Sequence, residues 1–91
     1  EPVWAIGAPA PMSPRDMHEM AIFIRKSVVE LFGQAAIDVR ILYGGSVTPD
    51  NIDEYMAQPD VDGGLVGGAS LKPDGFTALI QGAATAAAGH A

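Results

Sequence analysis

The sequence predicts an α/β fold in which parallel strands are joined by crossover helices. Two observations carry this. Short apolar, β-rich runs alternate with longer stretches whose apolar residues recur every three or four positions, and that alternation builds βα units on a parallel sheet. Each short run also ends in glycine, at Gly7, Gly44-Gly45 and Gly67-Gly68. The order reads β-loop-α-β-α-β-α. It makes three βα units, with no internal boundary and no longer repeat.

The elements follow in order. Val3-Trp4-Ala5-Ile6, closed by Gly7, reads as the tail of a buried strand. Residues 8–12, Ala-Pro-Ala-Pro-Met, form a stiff loop, because each proline lacks an N–H and pushes its predecessor to extended geometry. Ser13-Pro14-Arg15-Asp16 is a helix start: cap, first-turn proline, then an acid at the positive end of the dipole. Met17, Met20, Ala21, Ile24, Val28 and Leu31 give that helix one apolar face, and Gly33 ends it. Residues 38–43 form the second strand. Thr48-Pro49-Asp50-Asn51 repeats the helix-start pattern, for a helix running to about Gln58. Residues 61–66 form the third strand, and the last helix begins at Leu71-Lys72-Pro73-Asp74. The tail after Gln81 is mostly Ala and Gly, and its end is expected to fray. The strands are apolar on both faces, as a sheet covered on both sides requires.

Composition narrows the function. The 91 residues contain no cysteine, so neither disulfides nor thiolate chemistry is available. Net charge is -6 with five Lys+Arg, which argues against nucleic acid and anionic membranes as partners. No apolar run approaches the ~18 residues of a membrane span, and no signal peptide is visible. No His/Asp/Glu cluster has metal-ligand spacing. The chain starts at Glu1, directly in an apolar run, which leads us to expect a segment of something longer.

The glycine turns are the first candidate for chemistry. In parallel α/β folds, ligands bind beyond the carboxyl ends of strands. Glycine there lets backbone N–H groups approach an anion, and the helices behind point positive ends the same way. Ser46 and Ser70 add hydroxyls. Such a cradle needs no Lys or Arg, so it suits an acidic chain. Two readings stand: the glycines merely end strands, or they bind phosphate. Glu1 is the second candidate. By composition and spacing alone it reads as a solvated terminal residue. As a strand-end carboxylate beside Pro2 and Trp4 it would be partly desolvated, its pKa raised towards that of a general base. His18, early in its helix, reads as exposed, and His90 lies in the tail.

EPVWAIG, YGGSV and DGGLVGGASLKP, in this order, closely resemble the C-terminal part of the triosephosphate isomerase family, over nearly the whole chain. The resemblance implies a (β/α)8 TIM barrel of about 250 residues, of which residues 1–91 supply the end of strand six through helix eight. It implies a cytoplasmic, glycolytic aldose–ketose isomerase. That enzyme interconverts glyceraldehyde 3-phosphate and dihydroxyacetone phosphate through an enediolate, with no metal and no cofactor, and is a homodimer when intact. Glu1 resembles the catalytic base. Pro2, Val3 and Trp4 resemble the hinge of a mobile lid, and Ile6 and Gly7 its substrate-facing start. The N–H groups of Gly7, Ser46, Gly67 and Gly68 resemble the phosphate site. Tyr43 resembles the residue whose hydroxyl latches the closed lid, and Leu65 an apolar wall near the base. Arg25 and Asp62 resemble a structural ion pair.

Two departures matter. The family's electrophilic His and its substrate-binding Asn and Lys come from early strands that this sequence does not contain. The isolated chain is therefore expected to be inactive, and its bare sheet edges to favour aggregation or disorder. Second, the lid reads Ala8-Pro9-Ala10-Pro11-Met12 where the family commonly has Thr-Gly-Lys-Thr-Ala. Pro9 has no N–H to bond the Ser46 hydroxyl in a closed lid, whereas Met12 keeps its own for the Tyr43 latch. An altered lid suits a longer substrate, and some relatives act on tetrulose phosphates such as erythrulose phosphate. The alternatives are that isomerase on the same fold, another phosphate-binding barrel, or a non-enzymatic phosphate-binding βα fragment.

Overall fold

The structure, a computed structural model, describes residues 1–6 and 11–89. Three α-helices, α1 (Pro14–Phe32), α2 (Ile52–Met56) and α3 (Pro73–Ala88), accompany two strands, β1 (Leu42–Gly44) and β2 (Gly63–Leu65). Single 3-10 turns lie at Val3–Ala5, Gln34–Asp38 and Gly68–Leu71. The strands pair in parallel, Leu42 with Gly63, Tyr43 with Gly64 and Gly44 with Leu65. The α/β class and the crossover through α2 are as the sequence predicts.

One face of this sheet is covered. Tyr43 points to it and joins a core of Met12, Met17, Ala21, Ile41, Val47, Ile52, Tyr55, Met56, Val61 and Leu79. The opposite face carries Leu42 and Leu65, which stay exposed. Among the described residues all three helices serve the Tyr43 side. The apolar face of α1 is likewise only partly used. Met17 and Ala21 are buried, but Leu31 is exposed.

Besides the third strand, which is Gly63–Leu65 rather than residues 61–66, three element boundaries change. Residues 3–6 are no strand. With no described ladder to join, the backbone bonds itself, Ile6 N–H to the Val3 carbonyl at 3.4 Å, and Val3 is 86% exposed. The second strand is shorter than residues 38–43. The reason lies in Arg25, whose Nη1 donates to the carbonyls of Ile37 (2.6 Å) and Val39 (2.8 Å). The Ile41 N–H goes to the Asp62 carboxylate at 2.8 Å. Backbone groups spent on side chains cannot serve a ladder. At the third boundary, α2 starts only at Ile52, after a turn in which Asn51 Oδ1 accepts the Thr48 N–H at 2.8 Å. Thr48 is thus not the cap. α3 runs to Ala88, since alanine is the strongest helix former, and the end of the tail, where fraying is expected, lies outside the described residues.

The start of α1 is as read. Ser13 Oγ accepts the Asp16 N–H at 3.1 Å, with Pro14 in the first turn.

Arg25 also forms the expected pair with Asp62, Nη2 to Oδ2 at 3.0 Å, and adds Asp60, Nε to Oδ1 at 3.2 Å. His18 is not exposed as the sequence suggested. It is half-buried, with Nε2 3.3 Å from Asp60 Oδ2. Asp60 and Asp62 lie just before β2, so α1 is fastened to the sheet immediately upstream of the strand ends.

Candidate functional site

The carboxyl ends of both strands open into one cavity of about 270 Å³, lined by Glu1, Gly44, Gly45, Leu65, Val66 and Gly67. Parallel pairing produces this directly. Both strands end on the same side, and the register sets Gly44 beside Leu65. A Cβ built on Gly44 would lie 3.6 Å from Leu65 Cβ and 3.8 Å from the Glu1 backbone nitrogen. Glu1 is thus held next to the strand end even though residues 3–6 are no strand. Its side chain is exposed, as the solvated reading of composition and spacing has it, and not desolvated. The described walls stand on the glycine side only, and Leu65, the expected apolar wall, is itself 68% exposed.

Gly45 must be glycine. Its φ is +148°, and a Cβ there would lie 2.8 Å from the Tyr43 hydroxyl and 3.4 Å from Glu1 Oε2. The first contact is below any real Cβ separation, and Tyr43 is 2% exposed and cannot yield. Gly67 and Gly68 differ. A Cβ on either meets no described atom within 4 Å. What glycine leaves open there is approach to the backbone, as a bound anion requires. Two substitutions separate these cases. Gly45→Ala should destabilise by about 2 kcal/mol, through backbone strain and overpacking. Gly68→Ala should stay within about 0.5 kcal/mol. Urea midpoints at constant m-value check both.

Ser46 is exposed beside the Gly45 turn, and its carbonyl accepts Asn51 Nδ2 at 2.6 Å. Asn51 therefore pins the second glycine turn from both sides, through Ser46 and Thr48. Pro2, Val3, Trp4 and Ile6 flank Glu1, with Pro2 half-buried and the other three exposed. Pro2 and Val3 also border a second cavity of about 230 Å³ that Glu1 shares with Met12, Met17 and Leu42. Gly7 and the Pro9 departure lie outside the described residues. Tyr43, which resembles the lid latch, is buried at 2% exposure. It stacks on Tyr55, ring centroids 4.2 Å apart and planes inclined by 20°. Tyr55 in turn donates its hydroxyl to the Met12 carbonyl. Sequence reading missed Tyr55 and Asn51. Tyr55 follows Ile52 by three positions and reads as core, while the Thr48-x-x-Asn51 spacing of a side-chain-closed turn was there to be found.

Parallel strands with a helix crossover, helices on one face and glycine turns at the strands' carboxyl ends are the architecture of part of a (β/α)8 barrel. A family profile described as triosephosphate isomerase matches residues 1–83. The chain is 57% identical over 83 residues to triosephosphate isomerase of Carboxydothermus hydrogenoformans, covering 90% of this chain and 33% of that one. It is 55% identical to the Flavobacterium psychrophilum enzyme over the same shares. A solved structure of triosephosphate isomerase from Bartonella henselae superposes with a TM-score of 0.73 at 37% identity, over 77% of this chain and 30% of that one. This chain belongs to the triosephosphate isomerase family. It spans about a third of the length of the relatives it matches.

Proposed function

We propose that residues 1–91 supply the base and the phosphate cradle of an aldose–ketose isomerase acting on glyceraldehyde 3-phosphate and dihydroxyacetone phosphate. The observation that carries the reading is the shared cavity, in which the Glu1 carboxylate and the glycine turns meet. Glu1 removes the proton from the carbon next to the carbonyl, and the electron pair of that C–H bond passes into an enediolate. The same carboxyl returns the proton to the neighbouring carbon, while the hydroxyl proton passes from one enediolate oxygen to the other by way of the electrophile that residues 1–91 lack, so no other reactant is consumed. The N–H groups of Ser46, Gly67 and Gly68, joined by Gly7, hold the phosphate. Leu65 limits solvent on one side. Substrate is a phosphorylated sugar, the intact enzyme is a homodimer in the cytoplasm, and residues 1–91 alone are inactive for want of an electrophile. No helix among the described residues is long and apolar enough to cross a membrane.

A graft tests this. Residues 1–83 would replace the matched segment of the C. hydrogenoformans enzyme, which supplies the remaining barrel. Turnover of glyceraldehyde 3-phosphate by the folded graft is the expected result. A folded graft with no turnover of any sugar phosphate sinks the proposal.

One observation favours a second reading. Ala8-Pro9-Ala10-Pro11 replaces the family's common lid sequence, and Pro9 has no N–H to give to Ser46. A lid so altered suits a four-carbon ketose phosphate. Assaying the graft with triose and erythrulose phosphates decides between them, and a triose preference removes the second.

A further inference from the structure

We propose that Tyr55 is a positioning residue, fixing the entry to α1 at Met12 and the Gly44-Gly45 turn as one assembly around the Glu1 cavity. This rests on the isomerase reading of that cavity. Tyr55 lies on α2, is 2% exposed and borders no part of the cavity. Its effect must therefore pass through others. Its hydroxyl donates to the carbonyl of Met12, a core residue 43 positions away in sequence. Met12 immediately precedes Ser13, which caps α1 through Oγ and accepts the Met17 N–H at 2.9 Å through its carbonyl. On its other side the Tyr55 ring stacks on Tyr43. The Tyr43 hydroxyl lies against Gly45, and Glu1 Oε2 lies against Gly45 as well. One ring thus joins the chain entering α1 to the turn beside the base.

Packing alone does not explain the hydroxyl. Phenylalanine would fill the same space and keep the stack. A buried phenol oxygen costs free energy unless it is bonded. Here it is bonded to a distant main-chain carbonyl, which fixes the relative place of two segments. Burial first, then the interaction with Tyr43, holds the Tyr55 phenol above the ordinary tyrosine range, so it remains a donor.

The graft carries the test. Tyr55→Phe removes one oxygen and should lower kcat/KM about tenfold, the worth of one buried hydrogen bond. A purely structural role would lower the urea midpoint and leave kcat/KM of the folded protein unchanged. A loss under about threefold overturns the proposal. Amide exchange reads the same point without turnover. Asp16 and Met17, whose N–H groups bond Ser13, should exchange about tenfold faster in Tyr55→Phe while α3 is unaffected. Unchanged exchange there overturns it too. A wild-type graft that turns over neither sugar phosphate counts against the isomerase reading, and exchange then decides this one.

Discussion

Glu1→Gln in the grafted barrel should lower kcat by about 10²–10⁴-fold, the usual worth of a positioned base, with KM changed little. Glutamine keeps the shape of the side chain and the lining of the cavity, but its amide cannot accept the proton from carbon. Stability should hold, because Glu1 is exposed and its side chain takes part in none of the hydrogen bonds found among the described residues. A loss in kcat alone marks a group that acts in the transition state and not in ground-state binding. Glu1→Asp refines the test. It keeps the charge and withdraws it by one methylene, and about 1 Å of misplacement already costs on the order of 100-fold. The expected ranking is Glu, then Asp, then Gln. If Gln keeps kcat within about tenfold of wild type, the carboxylate is not the base.

Much of this site was legible because its parts are local. Gly44-Gly45, Gly67-Gly68 and the acid before Pro2 sit beside one another only if the strands run parallel, and the βα alternation says that they do. What was not legible depends on partners far away in sequence. The shortened second strand follows from Arg25, an α1 residue, capturing the carbonyls of Ile37 and Val39. No propensity of residues 38–43 contains that information. The Val3–Ala5 turn fails in the same way, since a strand exists only beside a neighbour and the described residues give it none. Tyr55 was hidden for a different reason. Its spacing is that of a core residue, which it is, and the hydroxyl shows its use only once Met12 is folded against it. Glu1 reads as a solvated residue by spacing, and it is exposed; its part as a base rests on the resemblance, because burial is a property of the walls and not of the residue.

The second large effect concerns the clamp rather than the chemistry. Arg25→Met should destabilise the graft by about 3 kcal/mol, near the lower bound for breaking a buried charge pair because the carboxylates keep partial solvent contact. The guanidinium makes five polar contacts: the Asp60 carboxylate and carbonyl, the Asp62 carboxylate, and the carbonyls of Ile37 and Val39. Methionine fills the same stem and supplies no donor. Among the described residues Asp60 then keeps only His18 and Asp62 only the Ile41 N–H, beside unpaired carbonyls. Lysine does not repair this, because one ammonium cannot span a planar fork, so Arg25→Lys should still cost about 2 kcal/mol. The consequence reaches the site. Asp62 exchanges bonds with Ile41, giving its N–H to the Ile41 carbonyl at 2.8 Å and accepting the Ile41 N–H on its carboxylate. That exchange stands one residue before the first ladder pair, Leu42 with Gly63. It therefore sets the register that brings Gly44 against Leu65 and closes the wall beside Glu1. Arg25→Met should accordingly raise KM for the sugar phosphate as well as lower the urea midpoint. A midpoint shift worth less than about 1 kcal/mol would mean that the network is solvated and that the ladder alone holds the register.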